Sequence, residues 1–444
     1  MNKVWIDVTD YLKWNRPPTG IIRVEHELIK WSIENLANVN FFTYDSEKGF
    51  FSVDLASDFT DKFAKKNKLF FFKLTTCSDF KKFSRQIIRA TYDFIMSFIP
   101  SDHHYRINQK IKQKLSFLRA RANFRHPVSI GNVVKHTMVD PFNDFDIIFC
   151  PGMTWNYYTI NTDIASLKKQ KKILYYAFCH DMAPINLPHL CLSDQYPFLK
   201  YFKELAQNAD HVFCNSKSTE TDFKNFIVKH KLPNVATSIN YLGTTIYNHT
   251  FENYHAINDL VQDKFILYVS TIERRKNHEC IYKAILYLLE NGVTNIPKIV
   301  FVGLKGWGVA DLLNDLSKDP RIKDYFFIYS ELSDNDLTLL YQKALFTVYP
   351  SYFEGWGLPV AEALAYGKMA IVSSAGSLPE VGGQWVDYVD PYNIVGWAER
   401  IKFYLDNQNQ LAEREQNIQK NYILNTWDNF CTGVFGIMNK DSSP

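Results

Sequence analysis

Short apolar runs recur along the chain, each closing on small or polar residues and followed by a stretch of helical periodicity. In the first half they are "KVWIDV", "FDIIFCPG", "KKILYYAFCHD" and "HVFCNS". A second series starts near Lys264 with "KFILYVSTIE", "KIVFVGLKG", "YFFIYSELS", "FTVYPSYFEG" and "MAIVSSAGS". Runs apolar at successive positions predict strands buried on both faces, the habit of parallel sheets covered by helices. Stretches such as "HECIYKAILYLLENG" and "DNDLTLLYQKA" supply the intervening helices. Two series separated by the polar stretch around residues 248–263 predict an α/β protein of two Rossmann-like, doubly wound domains facing a cleft. Their expected limits are residues 1–250 and 258–424, with an amphipathic segment, "TWDNFCTGVFGIM", in the remaining 425–444. Polar residues collect at the carboxyl ends of the strands, where open α/β sheets take ligands.

Composition changes this picture at one place. The 444 residues are 46% hydrophobic and 22% charged, ordinary for a globular chain and unlike a disordered one. The net charge of +3 conceals a basic segment: residues 62–125 hold 16 Lys or Arg against Asp79, Asp93 and Asp102, a net of +13 that leaves −10 elsewhere. Its stretches "FSRQIIRATYDFIMSFIP" and "RINQKIKQKLSFLRARANFR" mix those cations with Phe, Ile and Leu at near-helical spacing. This reads as a helical insertion, about residues 60–126, suited to an anionic membrane surface. No nucleic-acid-binding module accompanies it. The seven cysteines include no CxxC pair and no zinc spacing, and several lie in strand-like runs, as buried reduced thiols do. With no leader-like N-terminus and no apolar run of spanning length, the expectation is a cytoplasmic chain, peripheral to the membrane.

Three motifs carry candidate chemistry. Glu354 and Glu362 stand eight positions apart in "EGWGLPVAE"; Gly355 and Gly357 permit a tight loop and Pro359 suits a helix's first turn. Glu354 is expected in a loop facing the cleft, and Glu362 within about the first helical turn after Gly357 and Leu358. In "STIERRKN", Ser270 ends a strand and Arg274, Arg275 and Lys276 crowd three cations ahead of a helix. Such a cluster is costly unless solvated or matched by an anion, and a pyrophosphate would match it. The third is "VSSAGSLPEVGG", a small-residue loop around Pro379 and Glu380 that permits close approach to its backbone. Taken singly, each also fits a capping glutamate, a solvated basic loop or an ordinary turn.

Taken together, in this order and spacing, the three resemble the C-terminal domain of family 4 glycosyltransferases, retaining enzymes of the GT-B fold that use nucleotide-sugar donors. The resemblance is dense over residues 264–402. It implies that Glu354 contacts the donor sugar, that Glu362 holds the nucleotide ribose, and that Arg275 and Lys276 grip the diphosphate. Ser270, Gly357 and Leu358 fall beside them on the donor side. Thr271 stands where many members have an arginine, and Arg274 where a related subgroup has proline. In the first half, "PPTGIIR" resembles the family's N-terminal loop, assigning Gly20 to close backbone approach. "CHDMAP" resembles its strand-end histidine, assigning His180 to the donor sugar. Asn215 or Ser216 reads as a helix cap, and the final segment as the helix that crosses back onto the N-terminal domain. The implied reaction moves a hexose, with GDP-mannose favoured over other GDP-, UDP- or dTDP-sugars. The acceptor would be a growing polysaccharide or lipid-linked glycan, as in capsule or O-antigen assembly. The nucleotide sugar is a substrate, so no cofactor is expected. No Asp-x-Asp was read at a strand end, so no metal is expected either. The rival readings are a GT-B scaffold without catalysis and a sugar-nucleotide epimerase or phosphorylase.

Overall fold

The computed structural model describes residues 3–55, 140–191, 195–246, 257, 259–330 and 332–441. The basic stretch of residues 62–125, with Cys77 and the expected membrane contact, lies outside them, as do residues 247–256 of the polar divide. Two parallel sheets, both within one compact unit, bear out the α/β expectation.

The first sheet comprises β1 (Val4–Asp7), β2 (Val39–Asp45), β3 (Gly49–Val53), β4 (Ile147–Cys150), β5 (Leu174–Cys179), β6 (His211–Cys214) and β7 (Ala236–Ile239), in the order 3-2-1-4-5-6-7. The central β1 pairs in parallel with β2 and β4, setting Ile6 opposite both Phe41 and Phe149. The second comprises β8 (Phe265–Val269), β9 (Lys298–Val302), β10 (Phe326–Tyr329), β11 (Thr347–Tyr349), β12 (Ala370–Ser373) and β13 (Asp387–Val389), in the order 10-9-8-11-12-13. In both sheets the order reverses beside the first strand, between β1 and β4 and between β8 and β11. Those switch points are where doubly wound sheets open a crevice at the carboxyl ends. The central strands β1, β4, β6 and β12 are buried at every position, as helices on both faces require. Of the cysteines described, Cys150, Cys179, Cys214, Cys280 and Cys431 are buried free thiols and Cys191 is half-buried.

The helix Trp427–Asp441 packs on the helix Ile21–Asn35 of the first domain. Phe435 stacks on Trp31 at 5.3 Å, the Trp31 indole N–H donates to Asp428 at 2.7 Å, and Phe430 meets Phe178 edge-on. Asn425 donates to the carbonyls of Tyr241 and Leu242, tying together the two segments that pass between domains. Gly243 is needed there: a Cβ on it would lie 2.4 Å from the Trp427 amide.

Candidate active site

The strands flanking the second sheet's switch point deliver the charged groups. After β8 the chain forms a single 3-10 turn, Arg274–Lys276, and then Asn277 adopts a left-handed conformation (φ 58°) that opens the helix His278–Glu290. Asparagine tolerates this backbone better than most residues. Its side-chain amide also donates to the carbonyls of Pro350 and Pro391 at 3.0 and 2.9 Å, pinning the turn to the loops after β11 and β13. After β11 the chain enters residues 354–357, with Gly357 at φ 119° ahead of the helix Leu358–Ala365.

These two loops meet. The Lys276 ammonium donates to Glu354 Oε1 and Oε2 at 2.6 and 2.8 Å and to the Tyr349 hydroxyl at 3.1 Å. Arg275 donates to Glu354 Oε2 at 3.1 Å, to the Phe353 carbonyl at 2.6 Å and to Glu273 Oε1 at 2.9 Å. Both cations keep only 13% of their side chains exposed, and Glu354 as a residue only 5%. Burial alone would push the Glu354 carboxyl up, but Lys276 and Arg275 together outweigh it and hold the acid at about 2. Burial lowers the Lys276 ammonium, which makes it the more easily discharged partner. Glu354 is thus a loop residue, buried with two cations neutralising its charge.

The other candidate residues fall at varied distances from this cluster. Glu362 lies on the second helical turn, beyond the helix's positive end, and accepts from the Tyr341 hydroxyl at 2.8 Å. Burial raises its carboxyl, and the Arg23 charge partly offsets this. Arg23 belongs to the helix that Gly20 opens, and it reaches Asp334 across the cleft at 3.6 Å. Gly20 has φ 54°, a conformation that disfavours any other residue. Gly357 and Leu358 open a helix that no side chain caps. Ser270 is buried, and its hydroxyl lies 3.3 Å from both the Thr271 carbonyl and His278 Nε2, so the charged cluster does not engage it. His180 is buried with Nε2 2.7 Å from the Pro151 carbonyl. A carbonyl can only accept, so Nε2 carries the proton, and burial lowers the ring to about 4, keeping it neutral. The backbone of His180 touches the loop after β11: a Cβ on Gly355 would sit 1.9 Å from its carbonyl oxygen. Ser216 takes the cap position of the helix Lys217–His230, whereas Asn215 donates to the His180 carbonyl.

In the third motif Gly376 comes close to the Glu354 peptide, its missing Cβ leaving 2.6 Å to the Glu354 carbonyl, which also accepts from the Ser377 amide and hydroxyl. One expectation is corrected. An Asp-x-Asp does follow a strand, β10, as Asp334-Asn335-Asp336, but its acids start a helix: Ser333 and Asp336 form a capping box.

Sequence reasoning passed over a second cluster, at the switch point of the first sheet. Asp7, Asp10 and Glu25 are all buried. Asp10 accepts from the Met153 amide and the Tyr157 hydroxyl, at 3.1 and 2.9 Å. Glu25 lies against Gly152, where a Cβ would fall 1.8 Å from its Oε1, and its Oε2 has no hydrogen-bond partner among the described residues. Burial raises all three carboxyls, that of Asp7 to about 7, and neighbouring acids add to the rise of Asp7 and Glu25. The readable signal was two acids closing an apolar run in "WIDVTD".

With this geometry in hand, comparison with known proteins is decisive for the second domain. Residues 250–422 match the family described as glycosyl transferases group 1. Those 173 of the 444 residues are a group 1 glycosyltransferase domain. Among curated relatives, the serotype-specific mannosyltransferase WbdA of Escherichia coli is 27% identical over 49% of this chain and 27% of its own length. O-antigen chain mannosyltransferase B of Escherichia coli is 33% identical over 29% of this chain and 34% of its own. The chain thus spans only 27% and 34% of the lengths of these two glycosyltransferases. Two solved structures superpose over nearly the whole chain. They are sucrose-phosphate synthase from Thermosynechococcus elongatus (14% identity, 99% of both chains, TM-score 0.60) and Anabaena HepE in complex with UDP and glucose (13%, 99% and 100%, TM-score 0.61). At such identity the likeness speaks for the fold, which is GT-B across both parallel-sheet domains.

Proposed function

We propose that the chain is a retaining glycosyltransferase that moves a hexose, mannose by preference, from a nucleotide sugar to a growing cell-surface polysaccharide or lipid-linked glycan. The observation that carries this reading is the buried Glu354 clamped by Arg275 and Lys276 at a Rossmann switch point. The O-antigen mannosyltransferases among its relatives support the sugar and the setting.

Cleaving a sugar–phosphate bond puts negative charge on the departing diphosphate and positive character on the sugar. Preorganised cations at the phosphates and an oriented carboxylate at the sugar lower that barrier. In this reading an arriving diphosphate takes over Arg275 and Lys276. Glu354, ionised at any working pH, is then released toward the sugar hydroxyls. Glu273 and the Phe353 carbonyl hold the guanidinium in place during the exchange. Glu362, fixed by Tyr341, receives the ribose. Gly20 and His180 belong to the facing walls, and the chemistry needs neither metal nor cofactor. Ser270, bonded elsewhere, takes at most a backbone part.

Among the described residues no helix is long and apolar enough to cross a membrane. The basic residues 62–125 would instead hold the protein to an anionic inner leaflet, where a lipid-linked acceptor lies. Co-sedimentation with anionic vesicles, lost when that stretch is deleted, tests the contact. For the function itself, thermal shifts and donor turnover across GDP-, UDP- and dTDP-sugars are expected to single out one nucleotide, since a bound ligand stabilises the fold by mass action. No stabilisation by any of them would refute the donor assignment.

A further inference from the structure

One carboxylate links the two domains beside the donor loop. Glu380, in the short helix Leu378–Gly382, sets its two oxygens 2.7 and 2.8 Å from the backbone amides of Lys217 and Ser218. Those amides open the 14-residue helix Lys217–His230 of the first domain, whose cap Ser216 already receives the Thr219 amide. The first amides of a helix have no partner within it and form the positive end of its dipole, so an incoming carboxylate finds both donors and favourable charge. Burial raises the phenol of Tyr241 of the first domain, which lies near enough to Glu380 for that carboxylate to add to the rise, and its ring stacks on Trp356 at 5.0 Å, two residues from Glu354. Three residues before Glu380, Ser377 binds the Glu354 carbonyl through both its amide and its hydroxyl. One short segment therefore holds the Glu354 backbone at one end and the opposite domain at the other.

We propose that Glu380 is a positioning residue. By seating its carboxylate on the N-terminus of Lys217–His230 it keeps the domains closed over Glu354, so that the donor is attacked by acceptor rather than by water. The inference rests on the glycosyltransferase reading, but its geometry can be tested apart from it. Glu380→Gln keeps the shape and removes the charge. Lys217→Pro removes one amide from the other side of the contact; proline is tolerated at a first helical position, and Ser216 already has the extended backbone that must precede it (φ −157°, ψ 162°).

The decisive experiment compares the parent, the two single variants and the double variant. Nucleoside diphosphate release is measured with and without acceptor, and small-angle scattering is measured on the nucleotide-bound proteins. Each single variant is expected to raise the ratio of donor hydrolysis to transfer by about fivefold or more, with the nucleotide dissociation constant changed less than about twofold. The scattering radius should increase, and the double variant should add little to either single one. An unchanged ratio, or transfer and nucleotide affinity falling together at constant ratio, would overturn the proposal. If the parent turned over no donor, the functional reading would fall, and an unchanged radius in both variants would still dismiss the latch.

Discussion

The Lys276 ammonium lies 2.6 and 2.8 Å from the two carboxylate oxygens of Glu354, and both side chains are almost fully withdrawn from solvent. The pair joins the loops after β8 and β11, so it is a structural tie across the switch point and, in the proposed reaction, a charge reserve.

Glu354→Gln should therefore separate chemistry from binding. Transfer is expected to fall by about a hundredfold or more, while calorimetry finds nucleoside diphosphate binding equal to the parent's or tighter, because two cations have lost an internal competitor. Parental turnover would remove Glu354 from the reacting sugar.

Lys276→Met should weaken diphosphate binding and also cost about 1–3 kcal/mol of stability, since Glu354 stays buried with Arg275 as its remaining cation. Denaturant unfolding and nucleotide titration of one preparation check both effects. A variant that bound nucleotide as the parent does would end the phosphate role.

The two buried clusters should give stability opposite dependences on pH. Glu354 has its folded value depressed to about 2, so its contribution, about 3 kcal/mol, is present above its ordinary value near 4.5 and disappears as pH falls toward 2. Asp7 is raised to about 7, so its contribution is complete below its ordinary value near 3.8 and disappears as pH rises through 7. Asp7→Asn, which retains an acceptor for the Thr9 amide, should stabilise the protein at pH 8 by up to about 4 kcal/mol relative to its effect at pH 4. A pH-independent effect in thermal unfolding would contradict the buried-acid account.

Gly355→Ala tests the approach of the donor loop to the first domain. A methyl group 1.9 Å from the His180 carbonyl oxygen cannot be accommodated without separating the two. Transfer should fall by about tenfold or more with nucleotide affinity nearly retained, because in the proposed reading the phosphate groups are held by Arg275 and Lys276. Normal transfer would show that this contact is dispensable.

What could be read from the chain follows from what leaves a local trace. Buried parallel strands such as β4, β8 and β12 are short apolar runs and were legible, as was the Glu354–Glu362 spacing. β7, "ATSI", carries no apolar run, since an edge strand with exposed and half-buried positions needs none. β2 and β3 lie on the other flank of the sheet and were passed over despite their aromatic residues. The clamp on Glu354 was hidden for another reason. Seventy-eight positions separate Lys276 from Glu354, and only the parallel order 8-11 brings their loops together. Glu380 was visible as part of a small-residue loop, but its partner is the backbone of Lys217 and Ser218, and backbone amides leave no signature in a sequence. The Asp7–Asp10–Glu25 cluster combines a strand end with a helix 15 or more positions later, which only the fold makes neighbours.

The most direct test of the central claim is transfer itself. Purified protein is incubated with GDP-mannose, and in parallel with UDP- and dTDP-hexoses, plus a synthetic mannose-terminated lipid-linked acceptor. Mass spectrometry then follows the acceptor, and nucleoside diphosphate release is measured alongside. The account predicts an acceptor heavier by one hexose for each diphosphate released, in the parent and not in Glu354→Gln. No gain with any of the donors, or an equal gain in the Glu354→Gln variant, would contradict it.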